Sequence, residues 1–230
     1  MYRVKSITPT ADRDSLVLDE KQLDLIRTFG RRIPYPKGQI IFAAGDIADR
    51  AYFIEEGLVK IYRLDHEGRK ITVGTIRNQG ELMGLAETLC SGERTCFAEA
   101  ISDVVIVKLT KDDFRQILTK DNELAIKAAS LLGVRMREAE AMVHELVCRQ
   151  VPGRLALLLL KIGERYGVQA KDGTLINLRL THEEIASMIG ATRQTVTQTL
   201  NLFKKEKSID LKGRMIEILD PEKLKQWTTS

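Results

Sequence analysis

The stretch THEEIASMIGATRQTVTQTLNLFKKEKSI, Thr181 to Ile209, constrains this chain more than any other. Thr181 followed by Glu184 fits a capping box, in which hydroxyl and carboxylate each take an orphan backbone N–H at a helix start. Ile185, Met188 and Ile189 give that helix one apolar face. Gly190 permits a tight turn without a Cβ clash, and Thr192 is placed to cap a second helix. There Val196, Leu200 and Phe203 recur at helical spacing, which predicts burial against the first helix. Arg193, Gln194, Thr197, Gln198 and Asn201 fall on the other side. Such side chains suit the edges of a DNA groove and do not suit a core. Arg pairs bidentately with guanine, and Gln with adenine. Lys204, Lys205 and Lys207 follow, able to neutralise phosphates. The alternative, an ordinary amphipathic helix pair, leaves the joint occurrence of cap, turn glycine, short first helix and groove-type face unexplained. KGRMIEIL, from Lys212, reads as a tight hairpin, the wing of a winged helix-turn-helix.

At 230 residues, 43% hydrophobic and 30% charged, the chain has the composition and length for two small cores. Its longest apolar run, Leu155 to Leu160, is far shorter than the ~18 residues of a membrane span. The start, MYRVKSITPTADRD, lacks an apolar signal region, so a cytoplasmic protein with no membrane partner is expected. Cys90, Cys96 and Cys148 are too few and too scattered for a disulfide framework. His66, His144 and His182 are far apart, without metal-ligand spacing. No nucleophile elbow, P-loop or zinc motif occurs, so neither an enzyme nor a metal site is expected. Charge is unevenly placed: residues 151–230 carry 13 basic and 9 acidic side chains, whereas residues 1–150 carry 23 of each. The whole net charge of +4 lies with the groove-type helix, which fits a nucleic-acid partner for that part alone.

Residues 33–110 read as short strands: Gln39–Phe42, Ala51–Ile54, Leu58–Tyr62, Ile71–Val73 and Val104–Leu109, separated by turn glycines. That pattern predicts a small antiparallel barrel or sandwich, with a helix over 19–30 before it. From about Asp112 to Arg149 the period becomes helical. Ala125, Ala129, Leu132, Met136, Ala139, Val143 and Leu146 form a heptad seam, the mark of a helix that meets its own copy. A helix packed on its own barrel needs the same stripe and stays open as an alternative. Val151-Pro152-Gly153 is expected to break the helix and act as a hinge. Another helix is expected over 154–166 and a strand from Thr174 to Leu180. The expected class is α+β: an antiparallel β-barrel domain (1–115), a dimerisation helix and hinge (116–150), and a winged helix-turn-helix (151–230).

Barrel, long helix, hinge and winged helix in this order resemble the Crp/Fnr family of bacterial transcription regulators. The likeness rests on KGQIIFAAGD (Lys37–Asp46), YFIEEGLVKIY (Tyr52–Tyr62), QGELMGLAE with GERT (Gln79–Thr95), and LTHEEIASMIGATRQTV (Leu180–Val196). It implies a homodimer on two-fold symmetric double-stranded DNA, with RNA polymerase as a further partner and a small effector in the barrel. In the reading helix it implies that Arg193 contacts guanine, with Gln194 and Gln198 standing where the family has Glu and a second Arg. Thr181, His182 and Thr192, and Lys212 and Arg214 in the wing, are candidate phosphate contacts. Solvated wing charge and simple capping are the alternatives for Lys212, Arg214 and Thr181.

The bend Gly84-Leu85-Ala86 can expose successive backbone N–H groups as an anion nest, and Arg94 can close on the same anion bidentately. The resemblance places the family's phosphate cassette here, with Arg94-Thr95 as its Arg-Ser/Thr pair. Leu85 stands where cyclic-nucleotide binders have a Glu for the ribose hydroxyl. An unpaired buried hydroxyl costs about 1–3 kcal/mol, which argues against cyclic AMP; shifting the alignment to use Glu87 restores the acceptor but misplaces Gly84. The nitrogen-regulator branch, whose effector is 2-oxoglutarate, is similar in its aliphatic residue after the cassette glycine. It adds an Arg and a Glu from the long helix, matched in spacing by Arg135 and Glu140. Another small anion, or no ligand at all, stays open. The haem type uses Cys and His where this chain has Gly84 and Ala86, and the iron–sulfur type needs cysteines near the N-terminus, where none occurs before Cys90. Neither cofactor is expected. Cys90 and Cys96 flank Arg94, whose charge can lower a thiol pKa, so a thiol switch is the remaining alternative.

Overall fold

The structure, a computed structural model, describes residues 16–228. The start of the chain, MYRVKSITPTADRD, lies outside them. Its contacts separate into two compact units. Of the described residues, the first takes those up to Leu64 together with Val73–Ala139, and the second takes Asp65–Thr72 and those from Glu140 on.

In the first unit, α1 (Glu20–Phe29) precedes β1 (Arg31–Tyr35), β2 (Ile40–Phe42), β3 (Arg50–Glu56) and β4 (Leu58–Leu64). The strand β5 (Lys70–Thr72) falls in the second unit. Then come β6 (Arg77–Asn78), β7 (Leu82–Met83), α2 (Leu85–Cys90), β8 (Phe97–Ala100), β9 (Val104–Thr110), α3 (Lys111–Lys120) and α4 (Asn122–Cys148). One antiparallel sheet runs β1-β9-β3-β7; in the other, β8 pairs with β2 and β4, and β6 also pairs with β4. Strand β3 shows how sequence builds the core. Successive side chains point to opposite faces, and Ala51 to Ile54 are all buried. Tyr52 and Ile54 face the core shared with Phe42, Ile61 and Ile106. Ala51 and Phe53 face α1, α3 and the start of α4 through Ile26, Phe114, Ile117 and Leu124. A strand covered on both faces reads as a continuous apolar run, and this one does.

The helical stretch expected from about Asp112 is two helices. Asp121 leaves the helical region (φ −132°, ψ 97°), and its side chain accepts the Leu124 N–H at 2.8 Å. That bond is the largest cause of a carboxyl held below the usual aspartate range.

The second unit adds α5 (Val151–Tyr166), β10 (Gly167–Gln169), β11 (Thr174–Ile176), α6 (His182–Ile189), α7 (Arg193–Lys205), β12 (Ile209–Lys212), β13 (Met215–Ile218) and α8 (Pro221–Trp227). The sheet order is β10-β11-β13-β12. Two expectations are corrected here. Val151-Pro152-Gly153 does not lie between helices but forms the first turn of α5, where proline needs no N–H partner. The strand expected from Thr174 to Leu180 ends at Ile176, because the chain then leaves its partners β10 and β13 for the cap of α6. Leu155, Leu159, Ile185, Val196, Leu200 and Phe203 are fully buried and knit α5, α6 and α7 together. Among the described residues, no helix is long and apolar enough to cross a membrane.

Candidate functional site

The helix pair forms as the residues dictate. Thr181 accepts the Glu184 N–H at 3.1 Å, and the Glu184 carboxylate accepts the Thr181 N–H at 2.7 Å, closing the capping box. Gly190 ends α6 in the left-handed region (φ 61°, ψ 50°). Thr192 then caps α7 by accepting the Thr195 N–H at 3.1 Å. With Val196, Leu200 and Phe203 sealed beneath, Arg193, Gln194, Gln198 and Asn201 stand exposed on α7. Thr197 is only half-exposed, and its hydroxyl donates to the Arg193 carbonyl at 2.9 Å. Its bond with His182 Nδ1, at 2.8 Å, is therefore one it accepts. These two residues brace the start of the reading helix against α6.

In the wing, β12 and β13 are joined by Gly213-Arg214, with Gly213 at φ 65°. Arg214 is exposed. Lys212 is also exposed but lies 2.9 Å from Asp210 and 3.6 Å from Glu217; Lys204 lies 3.2 Å from Asp210. Lys212 first, then the Leu211 N–H and Lys204, hold the Asp210 carboxyl down to about 2.

The barrel cassette is a second cluster. Gly84, at φ 73°, precedes α2, whose first turn has no side-chain cap. A Cβ at Gly84 would lie 2.8 Å from Arg94 Nη1 and on a backbone in the left-handed region, so the position favours glycine. Arg94 is 2% exposed. It donates to the carbonyls of Gly84 at 2.8 Å and of Arg50, and to Thr88 Oγ1 at 3.1 Å. It also faces the Glu87 carboxylate at 3.4 Å and lies over the Phe42 and Tyr52 rings. Thr95 donates to Glu87 at 3.2 Å. Leu85 is buried in the core beneath α1 and α3, while Ala86 is exposed. Arg135 on α4 donates to the Leu82 carbonyl and lies 4.0 Å from Glu81. Glu140 is exposed on α4, in the second unit. Burial pushes the Cys96 thiol up, against the expected lowering; Cys90 is exposed. Among the described residues no cluster of His, Cys, Asp and Glu is arranged for a metal.

The seam residues divide. Ala129, Met136, Ala139, Val143 and Leu146 are exposed, Ala125 is half-buried, and Leu132 packs against the barrel's helical core. Ile126 and Val147, outside the expected seam, are 64% and 79% exposed.

The family model "Cyclic nucleotide-binding domain" matches residues 32–121, and "Crp-like helix-turn-helix domain" matches residues 153–227. A CRP-like cAMP-activated global transcriptional regulator of Mycobacterium tuberculosis is 33% identical over 84% of this chain and 85% of its own. The chain belongs to the Crp/Fnr family of transcription regulators. A global nitrogen regulator of Nostoc is 31% identical over 85% of this chain and 88% of its own. The solved structure of a CRP/FNR-family transcriptional regulator from Thermus thermophilus matches with a TM-score of 0.73 at 28% identity, over 87% of this chain and 99% of that one. This Crp/Fnr member is thus a DNA-binding, non-enzymatic regulator whose barrel is of a small-molecule effector class.

The site residues missed from sequence are Arg154, Ser187 and Thr72. Arg154 donates to three main-chain carbonyls of other segments, and Ser187 pairs with Thr72, 115 positions away. Partners so remote in sequence leave no periodic signal.

Proposed function

We propose that the chain is a homodimer that reads a two-fold symmetric DNA site with α7 and is gated by a small anion in the barrel cassette. The observation carrying the DNA reading is the exposed row Arg193, Gln194, Gln198 and Asn201 above a sealed apolar face. Arg193 takes guanine in the major groove, and the glutamines set preferences at neighbouring bases. Thr181 and Thr192 chiefly cap their helices, Thr197 and His182 brace α7, and Arg214 is the wing residue best placed for phosphate. The dimer forms along the exposed face of α4. The cytoplasm, where DNA and RNA polymerase meet, is the proposed location.

Leu85 supports an effector other than cyclic AMP, because it belongs to the core and has no acceptor for a ribose hydroxyl. Gly84, Ala86, Arg94 and Thr95, with Arg135 and Glu140 from α4, are the proposed contacts, and 2-oxoglutarate fits the two arginines. A second reading, a constitutive regulator without a ligand, is favoured by the engagement of Arg94 with Gly84, Arg50, Thr88 and Glu87. The raised Cys96 thiol gives a thiol switch less support.

Two measurements test this. Arg193→Ala is expected to abolish specific binding in a gel-shift titration while leaving the dimer intact, at a cost of about 1–3 kcal/mol per contact. Operator affinity equal to wild type refutes the assignment. A thermal-shift screen against 2-oxoglutarate, cyclic nucleotides and other metabolite anions separates the gated from the constitutive reading.

A further inference from the structure

The end of α4 is fastened to the reading head at several points. Arg154, in the first turns of α5, directs its planar donors to three carbonyls: Nη1 to Arg149 at 2.8 Å, Nε to Ile189 at 2.8 Å and Nη2 to Gly190 at 3.2 Å. The first carbonyl follows the last turn of α4; the other two close α6, at the turn into α7. A cation at two helix C-termini is favoured by both the orphan carbonyls and the helix dipoles. Lysine, a point charge without the fork, cannot reproduce the arrangement. One helical turn earlier on α4, Glu145 pairs with Lys161 of α5 at 2.7 Å. Leu146 approaches Gly190 so closely that a Cβ there would lie 3.1 Å from Leu146 Cδ2.

The earlier part of α4 is anchored elsewhere. Leu124, Ala128 and Val134 are buried, Arg135 bonds the Leu82 carbonyl, and Glu138 lies 3.7 Å from Arg77. Between the two sets of anchors, Ala139, Glu140 and Ala141 are all exposed. The segment Asp65–Thr72 is also held on the head: the Thr72 N–H donates to Ser187 Oγ on α6 at 3.0 Å, and the two hydroxyls lie 2.7 Å apart, both buried.

We propose that the tail of α4 from Met142 on moves with the reading head as one body, with Arg154 as the positioning residue that locks them. Any reorientation of α7 then carries the α4 tail with it, without a hinge at Val151-Pro152-Gly153. This rests on the DNA reading of α7 proposed above. A movement of the α4 tail is thereby delivered to α7 without loss across the α4–α5 junction.

The test uses the full chain with Cys90, Cys96 and Cys148 replaced by serine and spin labels at His144→Cys, on the α4 tail, and Glu183→Cys, on α6. Both positions are exposed or half-exposed. Labelled chain diluted with unlabelled chain isolates the distance within one protomer. That distance is expected to be narrow and the same in free and operator-bound protein. Arg154→Ala and Arg154→Lys should both broaden it and lower operator affinity at least about tenfold at 25 °C, with the far-UV helix signal retained. A distance that shifts on DNA binding, or a narrow distance with full affinity in Arg154→Ala, overturns the proposal. Should the wild-type chain bind no DNA, the function proposed above fails, while the width of the distance in free wild type against free Arg154→Ala still decides whether the lock exists.

Discussion

At the scale of single residues, Arg94 and Lys212 show how an expected ligand-facing charge is already engaged within the protein. Arg94 looks from its motif like an arginine waiting for an anion, yet it is buried and holds the Gly84 and Arg50 carbonyls. Removing it leaves a buried acceptor short of a partner, at about 1–3 kcal/mol. Arg94→Ala is therefore expected to lower the urea midpoint of unfolding as well as any anion response. An unchanged midpoint returns Arg94 to the role of a spare ligand. Asp210 ties Lys212 and Lys204 to the wing. Its folded pKa, about 2, lies below the ordinary aspartate value. Its contribution to the wing is thus complete above roughly pH 4 and is lost as pH falls through about 2. At neutral pH, Asp210→Asn frees Lys204 for phosphate and leaves Lys212 with Glu217 as its remaining anionic partner. DNA binding should tighten, and the slope of log affinity against log salt should steepen by roughly 1–2 per head. A salt titration with an unchanged slope shows that neither lysine reaches the backbone.

The register of α4 is the question at the scale of elements. A row at Ile126, Ala129, Gly133, Met136, Val143 and Val147, with the charged Glu140 at the position between Met136 and Val143, keeps heptad spacing and is open to a partner, while Leu132 turns to the barrel's own helices. Ile126→Ser and Val147→Ser are expected to weaken the dimer in sedimentation experiments at unchanged protomer stability. Leu132→Ser should instead lower unfolding stability by about 1–3 kcal/mol. The reverse pattern restores the register through Leu132. Sequence alone could not choose, because both rows share Ala129, Met136 and Val143, and a helix that packs on a barrel on one side needs apolar residues on neighbouring rows. Where local chemistry decides, the residues were legible: the caps at Thr181 and Thr192, the Gly190 turn, the apolar run of β3 and the two-residue wing turn. The short elements were not, since β6 and β7 have two residues each and owe their existence to remote partners. Helix α8 did carry a signal, Asp220-Pro221, a capping residue before a first-turn proline. The cassette was legible as a motif, but the engagement of the Arg94 Nη atoms depends on Arg50 and Thr88, which no spacing rule connects to it, and its buried Nε is left without a partner.

For the whole molecule, the proposed dimer turns two modest contacts into one specific one. Each head offers few base-reading side chains and a net charge of +4 over residues 151–230, so a single head binds weakly and without much preference. Two heads on one dimer act together, because the first to dock raises the effective concentration of the second. The gain vanishes if geometry forbids both from docking. Two-fold readers of this kind place their half-sites about one helical turn, about 34 Å, apart. DNA selected from random sequence by the purified chain is therefore expected to be palindromic, with half-site centres about 10 base pairs apart. Inserting about five base pairs between the halves turns one of them to the opposite face of the duplex. Affinity should then fall roughly a hundredfold or more, to that of a single half-site. An insertion of about ten base pairs restores the face but stretches the spacing, and it should recover binding only if the heads can spread. If both insertions are equally damaging, the heads are held at one spacing.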